Sequence, residues 1–324
     1  MTALGRLLAD ELSAVPRGIG EVHAAISGRV FRALGPPALP VRVLHDLITR
    51  GTYTAVSGGL WAGARALPLE PSPVVLGALN GLFGDALAAE GSPLAISMAA
   101  ERIGSPRTPD VVVFVHGLGE TELAWGAEPY GDRLPGWTPV YVRYNTGLPI
   151  ADNGVALGEL IEALDWDVER IALVGHSMGG LVARSACAHG GEWTSRVSHT
   201  ISLGTPHDGA PLEQAVHAMV GVLERAPETR PFARFLGRRS AGIRDLRRGV
   251  RDPLLPGARH GFVAATVTAR DTHVVGHLLG DALVRTASAR GEGDLLDLGS
   301  THHLALLRHP AVHRQLERWL SAAN

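Results

Sequence analysis

A short apolar run, Ile171-Ala-Leu-Val174, passes directly into Gly175-His-Ser-Met-Gly179, and this junction constrains the fold more than any other stretch of the chain. G-x-S-x-G between a strand and a helix puts its serine on a sharp, strained turn. Gly175 and Gly179 remove the side chains that would collide where strand and helix approach closely. The turn lifts the Ser177 hydroxyl clear of the backbone and aims the next helix's N-terminus at negative charge developing beside it. A glycine-rich turn can carry the same pattern by chance. Here an apolar strand precedes it and a helical run, Met178 to Ala188, follows, so Ser177 is the candidate nucleophile.

From Val111 onward, apolar runs alternate with amphipathic stretches, as expected of β-α units feeding a mostly parallel sheet. The pattern predicts an α/β fold of about six strands. They are Val111–Val115, Thr138–Tyr144, Ile171–Gly175, His199–Leu203, Gly261–Thr268 and a run near Leu295–Leu298. Helices are expected at Asp152–Leu164, Met178–Ala188 and Pro211–Glu224, with a closing helix from Pro310 that sets Val312, Leu316, Trp319 and Leu320 on one face. Residues 1–105 differ, with long Ala/Leu/Gly segments broken at Pro36-Pro37, Pro40, Pro68, Pro71 and Pro73. We read them as a helical N-terminal region and 106–324 as the α/β domain, with the boundary at Ser105-Pro-Arg-Thr-Pro-Asp110.

At 324 residues the chain can bury a core without staples, and a net charge of −2 argues against a nucleic-acid binder. All its basic side chains are arginine, which points to genomic base composition more than to function. Cys187, the single cysteine, excludes an internal disulfide and reads as a buried, inert thiol. Arg6, Asp10 and Glu11 interrupt what would be the apolar core of a secretory signal, and Arg65, Glu70, Asp85 and Glu90 interrupt the later apolar stretches. The expectation is a cytoplasmic protein, with peripheral membrane contact left open.

An acyl-transfer site built on Ser177 also needs oxyanion donors, a base and an acid to orient that base. His116-Gly117 follows directly on the first strand, so the backbone N–H groups of Leu118 and Met178 are the candidate oxyanion donors, with His116 shaping the loop. Thr301-His302-His303-Leu304 sits after the last strand, where a triad histidine belongs. His303 is favoured because an apolar residue follows it, with His302 as the alternative. For the acid, Asp281 after Gly280 is favoured over Asp271, which could cap a helix. The i,i+4 pairs His273/His277 and His309/His313 lack a third ligand at recognisable spacing, so no metal or other cofactor is called for.

These pieces together resemble the α/β-hydrolase superfamily, specifically bacterial lipases and esterases similar to the lipase-like domain of GPI inositol-deacylases. The resemblance covers about 109–322. It rests on Val115-His-Gly-Leu-Gly119, Arg143-Tyr-Asn-Thr-Gly147, Gly175-His-Ser-Met-Gly-Gly-Leu-Val-Ala-Arg184, Ser202-Leu-Gly-Thr-Pro-His207, Gly280-Asp281 and His303-Leu304. It implies serine-ester chemistry through Ser177, Asp281 and His303. Asp208 stands where relatives commonly carry a hydrophobic residue. Residues 1–105 lie outside the shared core.

An insertion at about 207–260 occupies the position from which such folds often build a lid. Leu212, Ala215, Val216, Met219, Val220 and Leu223 make an apolar stripe there, read either as core packing or as the wall of an acyl pocket. Its second part is basic, and a continuous helix would put Arg244, Arg247, Arg248 and Arg251 on one face. That face is either solvated or meets anionic lipid or substrate. The expected function is an esterase or lipase acting on an ester with an apolar acyl chain. An acyltransferase using the same triad, or a non-catalytic binding protein on the same fold, is the alternative.

Overall fold

The computed structural model describes residues 2–65, 70–209, 239–266, 289 and 293–321. They form two compact units. One holds the helices Ala3–Leu34 (α1) and Leu39–Arg65 (α2); the other holds Pro73–Gly91 and the described residues from Ala95 onward. In the first unit α1 packs on α2, and Gly20 leaves room for the Tyr53 ring, which would lie 3.0 Å from a Cβ at that position.

The second unit begins with a helix, Pro73–Ala89 (α3). Its sheet has seven strands: β1 (Ala99–Ile103), β2 (Asp110–Val115), β3 (Thr138–Arg143), β4 (Arg170–His176), β5 (Val197–Leu203), β6 (Arg259–Ala265) and β7 (Asp294–Leu298), in the order β1-β3-β2-β4-β5-β6-β7. All neighbours run parallel except β1 and β3. Parallel neighbours need crossovers. Ile150–Glu162 (α4) joins β3 to β4, and Met178–His189 (α5) joins β4 to β5. A short helix, Ala241–Leu246 (α6), precedes β6, and Pro310–Ser321 (α7) closes the chain.

The run Val111-Val-Val-Phe-Val115 is apolar on both sides because both faces of its strand are covered. Val111, Val113 and Val115 face a core built with Leu157 and Ile161 of α4 and Leu181 and Val182 of α5. Val112 and Phe114 face the other way, into Trp125, Tyr130 and the Val312, Leu316, Trp319 and Leu320 stripe of α7. That stripe is the one the C-terminal sequence predicts.

Three sequence expectations are corrected. The sheet has seven strands instead of about six, because β1 lies within the region read as helical. It is an antiparallel edge strand whose Glu101 and Arg102 are exposed, so no apolar run marks it. The Thr138 strand ends at Arg143, one residue early. Arg244, Arg247, Arg248 and Arg251 do not share one helical face, since α6 stops at Leu246 and Gly249 follows at φ +67°. Asp271, Asp281, the His273/His277 pair and the Pro211–Glu224 helix fall outside the described residues.

Candidate active site

β4 delivers Ser177 at the carboxyl end of the sheet, where parallel folds bind ligands. Its backbone sits at φ 52°, ψ −121°, a conformation unfavourable for a residue with a Cβ. Three contacts hold it there. The Ser177 amide donates to the Leu203 carbonyl of β5 at 2.8 Å, a Cβ on Gly175 would run into the Gly180 backbone, and one on Gly179 into the Val115 carbonyl. The glycines thus let α5 start immediately against β2 and β4. Ser177 is half-buried and Met178, the first residue of α5, fully buried.

The loop after β2, His116 to Glu120, lies against this turn. A Cβ on Gly117 would sit 3.1 Å from the Ser177 Cβ. Leu118 is half-buried on the same loop. The loop is anchored from several directions. Thr146 accepts from the Gly119 amide at 3.0 Å, and the Glu120 carboxylate accepts from the Gly117 amide at 2.7 Å. On the outer side α3 presents Gly77 and Gly81, where added Cβ atoms would lie 2.7 Å from the Glu120 carbonyl and 2.9 Å from the Gly119 Cα. His116 is completely buried with its pKa pushed down to about 4 by burial, so its ring is neutral at neutral pH. Its Nδ1 lies 3.0 Å from the Gly117 carbonyl, at the start of the loop.

His303 follows β7 at the start of a short 3-10 turn and is 3% exposed, whereas His302 is on the surface. The His303 ring meets Gly204, the residue after Leu203: a Cβ on Gly204 would be 3.1 Å from its Nδ1 and Cε1. Leu203 and Gly204 therefore contact Ser177 and His303 in turn. The structure brings Ser177, the Leu118 loop, Met178 and His303 to one end of the sheet. The favoured acid Asp281 and its alternative Asp271 are outside the described residues.

Two residues that sequence reasoning missed complete the surroundings. Glu120 and His176 face each other, with Glu120 Oε2 3.2 Å from His176 Nδ1. Burial works to raise the Glu120 carboxyl; the His176 charge, their hydrogen bond and the Gly117 amide outweigh it and hold it at about 2. The His176 ring lies 4.8 Å from the His303 ring, centroid to centroid. His176 was in plain view inside the elbow motif, but its role depends on Glu120, a partner 56 residues away.

Among the described residues no group of three or more His, Cys, Asp or Glu could hold a metal. His309 accepts from the Ala311 amide at the head of α7, and His313 lies 3.7 Å from Glu317. Cys187 is buried on α5 with its thiol raised to about 12 by burial, which keeps it protonated and unreactive. No helix of the described residues is long and apolar enough to cross a membrane.

Residues 158–230 match the PGAP1-like alpha/beta domain. A lipase from Bacillus licheniformis in its mature form superposes with a TM-score of 0.51 at 22% identity, over 69% of this chain and 96% of that one. The propeptide form of the same lipase gives 0.53 at 22% identity, over 69% of this chain and 53% of that one. No curated protein matches the sequence.

Proposed function

We propose that this chain, which has the α/β-hydrolase fold, is a serine carboxylic-ester hydrolase acting through an acyl-enzyme on Ser177. The observation that carries the reading is the conformation of Ser177. A non-glycine residue at φ 52° between a buried strand and a buried helix is strain that the surrounding packing maintains. Its effect is to present Ser177 at the end of the sheet, against the loop that carries the Gly117 and Leu118 amides, while His303 packs on Gly204 next to the Leu203 that holds the Ser177 amide.

In this reading the Ser177 hydroxyl oxygen attacks the ester carbonyl carbon while His303 takes the hydroxyl proton. The amides of Leu118 and Met178 donate to the oxyanion, each worth about 10²- to 10³-fold in rate for a donor of this kind. The tetrahedral intermediate collapses, and His303 returns the proton to the departing alcohol. Water, deprotonated by His303, then attacks the acyl-enzyme, frees the acid and regenerates Ser177. Asp281 holds the His303 imidazole in the tautomer that receives the proton. The substrate class is an ester with an apolar acyl chain.

The test is hydrolysis of p-nitrophenyl esters of graded acyl length by wild type and Ser177→Ala, with mass spectrometry after a fluorophosphonate probe. Turnover should fall on the order of 10⁶-fold in the variant, and the probe should sit on Ser177. A folded wild type that neither turns over nor takes the probe would overturn the assignment.

A further inference from the structure

Glu120 closes the loop that carries the Leu118 amide, and His176 immediately precedes Ser177. The carboxylate does two things at once: it accepts from the Gly117 amide at 2.7 Å and lies 3.2 Å from His176 Nδ1. On the far side of the ring, His176 Nε2 lies 3.4 Å from the backbone carbonyl of His303. Both partners are acceptors. Donation to both would take a proton on each ring nitrogen, so these are the contacts that an imidazolium paired with the Glu120 carboxylate would make. The ring is 1% exposed, which strengthens the pair and makes an unpaired charge there costly.

A carboxylate beside an oxyanion loop needs an explanation, because alone it would oppose the negative charge that forms there. The cation at His176 offsets it. The same pair also ties the oxyanion loop, through Gly117 and Glu120, to the backbone of the histidine that serves as base. We propose that Glu120 and His176 are positioning residues, an ion-paired strut that sets the spacing between the oxyanion loop and His303. This rests on the serine-esterase reading for its kinetic consequence, but not for its protonation state.

The experiment therefore has two readouts. In ¹⁵N-histidine NMR of the wild type at pH 7, both ring nitrogens of His176 should be protonated, and in Glu120→Gln one should lose its proton. A neutral His176 in the wild type overturns the strut, whether or not the protein hydrolyses esters. The second readout is steady-state kinetics. Glu120→Gln keeps an oxygen for the Gly117 amide but removes the charge, so kcat should fall about 10- to 100-fold with KM changed less than about threefold. Glu120→Asp, which keeps the charge, should recover part of that loss; a merely space-filling role would favour Gln over Asp. Unchanged kcat in Glu120→Gln, with an active wild type, overturns the positioning role. Failure of the esterase reading would look different, since the wild type itself would be inactive and unlabelled by fluorophosphonate.

Discussion

The Tyr144 hydroxyl donates to the carbonyl of His116 at 2.8 Å, and its ring stacks on the His116 imidazole with centroids 4.4 Å apart. Both residues are fully buried, so this contact fixes the start of the loop after β2. Tyr144→Phe keeps the stacking and strands a buried carbonyl. The expected loss is about 1–3 kcal/mol of stability, measured by urea denaturation, together with reduced ester turnover. Equal stability of the two proteins would mean that another donor satisfies the His116 carbonyl.

Stability should also decline in mild acid. Burial pushes His116, His199 and His207 down to about 4. In the unfolded chain the same rings titrate near 6.5, so below that pH the unfolded state binds protons that the folded state refuses. The stabilising contribution is therefore complete above pH ~6.5 and is lost progressively as pH falls towards about 4. Urea midpoints at pH 7.5, 6.0 and 4.5 should fall in that order, by an amount on the order of a few kcal/mol over the range. A midpoint that holds constant from 7.5 to 4.5 would contradict neutral burial of these rings.

What the sequence made legible, and what it hid, follows from how far apart the cooperating residues lie. The Val111–Val115 run, the elbow at Ser177 and the α7 stripe are local patterns, each read within a dozen residues and each matched by the structure. β1 was hidden because an edge strand needs no apolar alternation; Glu101 and Arg102 look like any surface segment. The arginine face was an extrapolation of helical period across Gly249, where the backbone turns left-handed. Glu120 and His176 were illegible as a pair because only β2 and β4 lying side by side bring their residues together.

The α3 helix gives a test of whether segments before the sheet matter to the site. Gly81 approaches the Gly119 backbone so closely that a Cβ would lie 2.9 Å from Gly119 Cα and 3.1 Å from its amide nitrogen. Both neighbours are backbone, so Gly81→Ala must move either the helix or the loop after β2. Displacements of about 1 Å at a reacting centre cost up to about 10²-fold in rate. We expect kcat to drop by about 10-fold or more in Gly81→Ala while Leu82→Ala, at an exposed position on the same helix, behaves as wild type. Wild-type kcat in Gly81→Ala would show that the helix yields and the loop does not depend on it.

Strain at Ser177 should be measurable as stability. The residue holds φ 52°, ψ −121° although it carries a Cβ, and such conformations cost about 1–3 kcal/mol. Alanine keeps that penalty, because the clash comes from Cβ and not from the hydroxyl. Glycine relieves it, offset by about 0.5–1 kcal/mol for its larger backbone entropy when unfolded. Ser177→Gly should therefore be more stable than Ser177→Ala by roughly 1 kcal/mol, although both lack the hydroxyl and, on the proposed mechanism, both should be inactive. Thermal or urea denaturation of the two variants side by side decides it. If the alanine variant were the more stable, Ser177 would not be strained, and the observation that carries the esterase proposal would lose its force.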